Sequence, residues 1–260
     1  MLSYQKIVAG LFVLSGLLFS FCTWDSRPLN QVRKVVIDAG HGGKDPGTGG
    51  GREKRFALDI ALKLGKQIKT EMKDVEVVFT RDSDVFIPLN ERAAIANREK
   101  ADLFISIHCN AHTTPNASGT ETYVMGLHKT EANLDLAKRE NNVILMEDDY
   151  KKSYKGFNPN SPLAHIMLAN YQSAFMNQSM DFASRVESQF VHHGYKSRGV
   201  KQAGFLVIWE TTMPSVLIET GYLSNPSDAK VLASEAGRQK TAEAIYKAFR
   251  SYKSDIEQNQ

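Results

Sequence analysis

Disulfide chemistry has almost no material here. Two cysteines, Cys22 and Cys109, occur in 260 residues, so no disulfide framework is available to hold the fold. Charge of one sign is lacking too. Lysine and arginine number 32 against 29 aspartates and glutamates, a formal net charge of +3, far from the concentrated basic face that nucleic-acid binding requires. No internal repeat is visible, which excludes a solenoid. What remains is 42% hydrophobic and 23% charged, an ordinary globular composition with ample material for a core.

The N-terminus departs from that average. Lys6 precedes an apolar run from Ile7 to Phe21 that is short of the ~20 residues of a membrane helix. A positive start, a short apolar core and small residues near its end describe a secretory signal over residues 1–22. Cys22 stands where a bacterial lipoprotein signal places its acylated cysteine, behind a bulky Phe21; a plain signal and a lipid anchor are both open. Either way the chain is expected to be exported to the periplasm or cell envelope. Contact with a membrane is expected only through the signal or a lipid on Cys22. Residues 23–33 read as a linker.

Order is expected from residue 34. KVVIDAG (34–40) is a β-branched apolar run, the mark of a strand covered on both faces. After a glycine-rich loop, Phe56, Ile60, Leu64 and Ile68 recur every four residues and predict an amphipathic helix. VEVVFTR (75–81) and ADLFISIHCNA (101–111) read as further strands, with a short helix from Pro88 to about Arg98 between them. TETYVMG continues the series. From 131 to 162 the chain turns charged and amide-rich, and this stretch is read as a partly helical insertion outside the sheet. One long helix is expected from Pro162 to His193, closed by Gly194. FLVIW (205–209) and SVLIETG (215–221) are two more apolar runs, followed by a helix over about 236–252 and a frayed tail, 253–260. Strands alternating with helices predict a single α/β domain over 34–252, its central, largely parallel, twisted sheet flanked by helices.

The loop GHGGKDPGTGGG (40–51) invites a nucleotide reading, which its residues refuse. A P-loop needs glycine where Asp38 stands and a hydroxyl where Asp45 stands. The dinucleotide pattern fails as well, since Asp45 follows Gly40 and Gly42 at its third glycine position. Three buried runs instead end in an ionisable residue: His41, His108 and Glu219. In open parallel sheets, sites form outside the carboxyl ends of the strands, so these side chains should converge at one rim. Glu53, at the start of the amphipathic helix, is carried to the same rim. A histidine or carboxylate at a strand end is often merely structural, but the set is far less common than its members. Two histidines and a carboxylate are the ligands of several hydrolytic zinc sites, and a second carboxylate can move the proton of an activated water. Cys109 neighbours His108 on a strand and faces the other way, so it is expected to be a buried, inert thiol.

These residues resemble the zinc-dependent N-acetylmuramoyl-L-alanine amidases of the bacterial cell wall. The resemblance rests on IDAGHGGKDPG (37–47), Glu53-Lys54, TRDSD (80–84), FISIHCNA (104–111) and LIETGYLSNPSD (217–228), in order over roughly 34–252. It implies one zinc ion held by His41, Glu53 and His108, with Glu219 as the catalytic carboxylate. It implies hydrolysis of the amide joining N-acetylmuramic acid to L-alanine in peptidoglycan, in wall remodelling or daughter-cell separation. Another exported zinc amidase or peptidase, or a wall-binding protein without catalysis, are the alternatives. Related amidases can carry an added helix that blocks the zinc site until a protein activator removes it. Glu140 and Glu147, in the insertion, are the plugs this implies, and deleting 139–161 should then raise activity.

Overall fold

The computed structural model describes residues 31–169 and 174–258. The proposed signal, Cys22 and nearly all of the linker lie outside the described residues. Six strands form one sheet, in the order β2-β1-β3-β6-β4-β5: β1 Lys34–Ala39, β2 Glu76–Phe79, β3 Leu103–Asn110, β4 Thr120–Met125, β5 Ser197–Ala203 and β6 Ser215–Tyr222. The first four in that order are mutually parallel, β4 runs antiparallel to β6, and β5 is parallel to β4. The expected α/β architecture with a largely parallel sheet is therefore present.

Alternation along each strand divides the core in two. Val35, Ile37, Leu103, Ile105, Ile107, Val216 and Ile218 pack into one apolar cluster, and Val36, Phe104 and Leu217 into another, as period-two side chains must when both faces are covered. The first face is covered by α1 (Arg52–Glu71), α6 (Met176–His192) and α8 (Glu235–Gln258). Helix α1 turns Ala57, Ile60, Ala61, Leu64 and Ile68 inward, the predicted stripe. The second face carries α2 (Leu89–Arg98), α3 (Glu131–Asn141) and a 3₁₀ turn, Leu206–Ile208. Short helices α4 (Tyr150–Ser153), α5 (Pro162–Ala169) and α7 (Pro226–Ala233) complete the series. Among the described residues no helix is long and apolar enough to cross a membrane.

Three elements differ from expectation. The long helix predicted from Pro162 is two helices, α5 and α6. Leu168 of α5 packs with Val143, Ile144 and Leu206, whereas Phe182, Val186 and Phe190 of α6 belong to the main core; one straight rod cannot bury both. Gly194 does close α6, at φ 77°. Of the two late apolar runs only the second is a strand, since residues 206–208 form the 3₁₀ turn. The tail is not frayed up to Gln258, because α8 continues and its buried Lys253 pairs with Asp74 at 2.8 Å. Residues 131–162 form α3, a 3₁₀ turn over Asn142–Met146 and α4, and contribute no strand to the sheet.

Candidate metal centre

Strand order places the site. The chain runs from β1 to β2 on one side and then crosses to β3 on the other side of β1, so a crevice opens between the carboxyl ends of β1 and β3. His41 follows β1 and His108 lies near the end of β3. His41 sits at φ 60°, a left-handed conformation uncommon for a non-glycine residue. It is held there: Arg92 Nη2 donates to its carbonyl at 2.8 Å, and its Nδ1 meets Asp45 Oδ2 at 2.7 Å. That second contact leaves Nε2 facing the crevice. Below it, Asp38 is fully buried and accepts from Thr80 and Ser106 hydroxyls at 2.6 Å and from Arg92 at 2.8 Å. Arg81 donates to the carbonyls of Ala39, Gly40 and Lys54. Both arginines thus hold the loop.

Glu53 enters from the first turn of α1. Its Oε2 accepts from Thr48 N–H at 2.7 Å and its Oε1 from Cys109 N–H at 3.0 Å. Oε1 also lies 3.0 Å from His41 Nε2 and 3.3 Å from His108 Nδ1. From the other side α3 delivers Glu140, whose Oε2 is 3.3 Å from both imidazole nitrogens. A tetrahedron with bonds of ~2.0 Å to zinc has edges of about 3.3 Å. The four nitrogen–oxygen separations, 3.0–3.3 Å, lie near that figure, and the four ligand atoms all lie within 4.8 Å of one another. His41 Nε2 and Glu140 Oε2 are buried without a hydrogen-bond partner, which is unfavourable unless something else occupies them. The donor set, two imidazoles and two carboxylates, suits zinc. Glycines make room for it. A Cβ on Gly40 would come within 2.4–2.7 Å of the His108 ring, and one on Gly47 within 2.9 Å of His41 and Glu53.

The electrostatics of the four are mutual. Burial opposes charge on every member, yet the Glu53 charge with the Asp45 and Glu140 contacts hold His41 well above its usual pKa. His108, also against burial, is raised to about 9 by Glu140 and Glu53. Glu53 is brought down to about 2, with the His41 charge outweighing burial. Beside them Glu219 is fully buried, directly opposite His108 in the sheet, with neither oxygen hydrogen-bonded. Burial and the neighbouring Glu140 and Glu53 charges push its pKa well above the carboxylate range.

His41, Glu53, His108 and Glu219 are therefore brought to one place. Of the two insertion glutamates only Glu140 reaches it; Glu147 instead accepts from Tyr154 at 2.8 Å. Cys109 is buried on the opposite face, with Sγ 3.4 Å from Thr220 Oγ1. The remaining histidines lie elsewhere, among them His165, whose Nε2 lies 2.9 Å from the Pro159 carbonyl. Asp45 escaped the sequence reading, although a carboxylate four residues beyond a candidate ligand is a signal for an orienting partner. Glu121 escaped it too, although a lone acid inside the apolar TETYVM is conspicuous.

Comparison with known proteins agrees with this geometry. Residues 35–251 match the family model described as N-acetylmuramoyl-L-alanine amidase. The N-acetylmuramoyl-L-alanine amidase AmiC of Neisseria meningitidis is 35% identical over 235 residues, 87% of this chain and 54% of that protein. The amidase AmiA of Escherichia coli is 32% identical, over 85% of this chain and 76% of that one. The chain thus spans about half of the meningococcal relative's length and about three quarters of the other's. The crystal structure of an N-acetylmuramoyl-L-alanine amidase from Clostridium difficile 630 superposes with a TM-score of 0.63 at 28% identity, covering 85% of this chain and 97% of that one. The chain belongs to the N-acetylmuramoyl-L-alanine amidase family.

Proposed function

We propose that this chain hydrolyses the amide between N-acetylmuramic acid and L-alanine in peptidoglycan with one zinc ion, held by His41, Glu53 and His108. One observation carries the reading. A buried carboxylate without partners, Glu219, stands next to two imidazoles and two carboxylates whose ligand atoms lie close enough together to share one ion. Zinc, when bound, supplies Lewis acidity, lowering the pKa of a water to ~7 and polarising the scissile carbonyl. Glu219 accepts the proton of the attacking water and returns it to the alanine nitrogen as the C–N bond breaks, leaving a lactyl carboxylate and a free amine. Buried opposite His108 with neither oxygen hydrogen-bonded, it is placed to hold that proton between the two transfers. Asp45 orients His41, and Glu53 is itself oriented by Thr48 and Cys109 N–H groups. A wall-binding protein without catalysis has no use for an unpartnered carboxylate at this place.

Glu140 completes the reading. With zinc held by His41, Glu53 and His108, Glu140 would take the place that a hydrolytic site keeps for water and substrate, and the free space against His41, His108 and Glu140 is only about 10 Å³. The seated α3 therefore represents a blocked state, and an activator acts by withdrawing it. The N-terminal apolar run and the substrate's place outside the membrane support export to the cell envelope, with Cys22 as a lipid site or a signal remnant.

The test is incubation of the purified chain and a Glu140→Ala variant with sacculi, with and without a chelator, and mass analysis of the new ends. Chelator-sensitive release of stem peptide beginning with L-alanine is expected. Cleavage between amino acids would assign a peptidase instead, and binding without products a non-catalytic wall protein.

A further inference from the structure

A second polar constellation lies beside the metal cluster, on the same face of the sheet. Register runs a row across three strands: His108 pairs with Glu219, and Glu219 with Glu121. Residues directly opposite one another point to the same face, and strands are ~4.8 Å apart. Glu121 is therefore about 10 Å from His108, two strands away. Because β4 and β5 run against β6, their first residues, not their last, reach this rim.

Glu121 is buried and accepts from five groups. Arg198 Nε, Lys201 Nζ and Tyr222 Oη bond Oε1 at 2.5, 2.5 and 2.8 Å. Tyr123 Oη and Asn110 Nδ2 bond Oε2 at 2.7 and 3.3 Å. A bulge makes this arrangement. Thr120 pairs with Ser197 but Thr122 with Val200, so two residues of β5 oppose Glu121 alone, and Gly199 between the cations takes φ 82°. A bulge of this kind re-aims a side chain; here it lets Arg198 and Lys201 converge on one carboxylate.

Two cations against one carboxylate leave a positive wall. Arg198 stays about a third exposed and binds Glu121 through Nε alone, so the two Nη groups remain for a further acceptor. These residues line an open cleft of about 360 Å³, whose opposite wall, from α3, presents Glu131 and Asp135.

We propose that this cleft is the subsite for a carboxylate of the stem peptide, bound by Arg198 and Lys201 with Glu121 and Tyr222 fixing their positions. The inference rests on the amidase reading and adds to it a preference for anionic stems. Substrate chemistry chooses the peptide over the glycan. The muramic acid carboxyl is consumed in the scissile amide, so the sugar side carries no anion there, whereas the peptide side carries carboxylates. At ~3.3–3.6 Å per residue, about 10 Å is the reach of the second or third residue beyond the cut.

The cleft is open with α3 seated, so it can be probed without turnover. Free stem peptide, the product of the reaction, is titrated calorimetrically into the full chain, once with its carboxylates free and once amidated. The free-carboxylate peptide should bind about tenfold more tightly, the ordinary contribution of a charge-assisted hydrogen bond. Arg198→Gln should abolish the difference, with folding checked by melting temperature. Lys201→Gln should reduce the preference in the same direction. Equal binding of the two peptides, no binding of either, or a preference that survives both variants overturns the subsite. Release of stem peptide from sacculi by the Glu140→Ala chain, measured separately, decides the amidase reading: cleavage without carboxylate preference sinks the subsite alone, and preference without cleavage sinks the amidase reading alone.

Discussion

Glu140 reaches His41 from a different layer of the fold: its Oε2, on a helix outside the sheet, stands 3.3 Å from His41 Nε2. Arg139 next to it secures the same helix, donating to the Ala111 carbonyl at 2.9 Å and to Asn110 Oδ1 at 3.0 Å. In the proposed reading that side chain fills the substrate's position, which would make α3 a competitor of the reaction.

Removing that competitor should release activity. Glu140→Ala is expected to raise the rate on sacculi by about tenfold or more, since a blocked state favoured by even ~1.4 kcal/mol hides nine tenths of the enzyme. The deletion of 139–161 should act in the same direction in a chain that remains folded. An unchanged or lower rate in both, at equal zinc content, would remove α3 from regulation.

The Asp45 contact concerns metal affinity. Asp45 Oδ2 holds His41 Nδ1 at 2.7 Å, and Asp45 Oδ1 accepts from Gly47 N–H at 3.1 Å. Asp45→Asn keeps the size and loses the charge. Zinc affinity, read by chelator competition, should fall about 10- to 100-fold, as it does when such outer partners of ligands are altered. An affinity equal to that of the parent would make Asp45 a loop residue only.

Proton linkage gives the metal-free protein a distinctive pH profile. His108, raised to about 9, stabilises the fold fully below its ordinary value of 6.5, and that contribution is lost as pH rises through about 9. Glu53, lowered to about 2, contributes above its ordinary value of 4.5 and loses its contribution as pH falls through about 2. Their joint contribution is therefore full between about pH 4.5 and 6.5, and the melting temperature of the metal-free protein should fall between pH 6.5 and 9. Zinc must displace protons from these imidazoles, so its affinity should rise over the same range. Calorimetry with and without zinc reads both, and a melting temperature that does not fall from pH 6.5 to 9 contradicts the cluster's electrostatics.

Much of this was legible in the chain. β-Branched runs ending in His41, His108 and Glu219 announce parallel strands with a polar rim, because burial on both faces leaves only the strand ends for ionisable groups. Glu53 was legible from its place at the head of an amphipathic stripe. Less legible was β5, SRGVKQA, an edge strand with no apolar alternation; its pairing is decided by β4 and by the bulge at Gly199. The break between α5 and α6 was hidden because both segments are apolar enough for one helix, and only the two separate surfaces they cover distinguish them. Glu140 was readable as one of two plug candidates. The choice between it and Glu147 depended on how α3 docks, which is tertiary information.

The most direct measurement concerns Glu219. A Glu219→Gln chain, made alongside the parent and in the Glu140→Ala background, is assayed for bound zinc and for stem peptide released from sacculi. The account predicts one zinc per chain in both and a loss of turnover of at least about 100-fold with glutamine, the usual contribution of positioned proton transfer. Turnover that persists with glutamine, or a parent that folds but takes up no zinc, contradicts it.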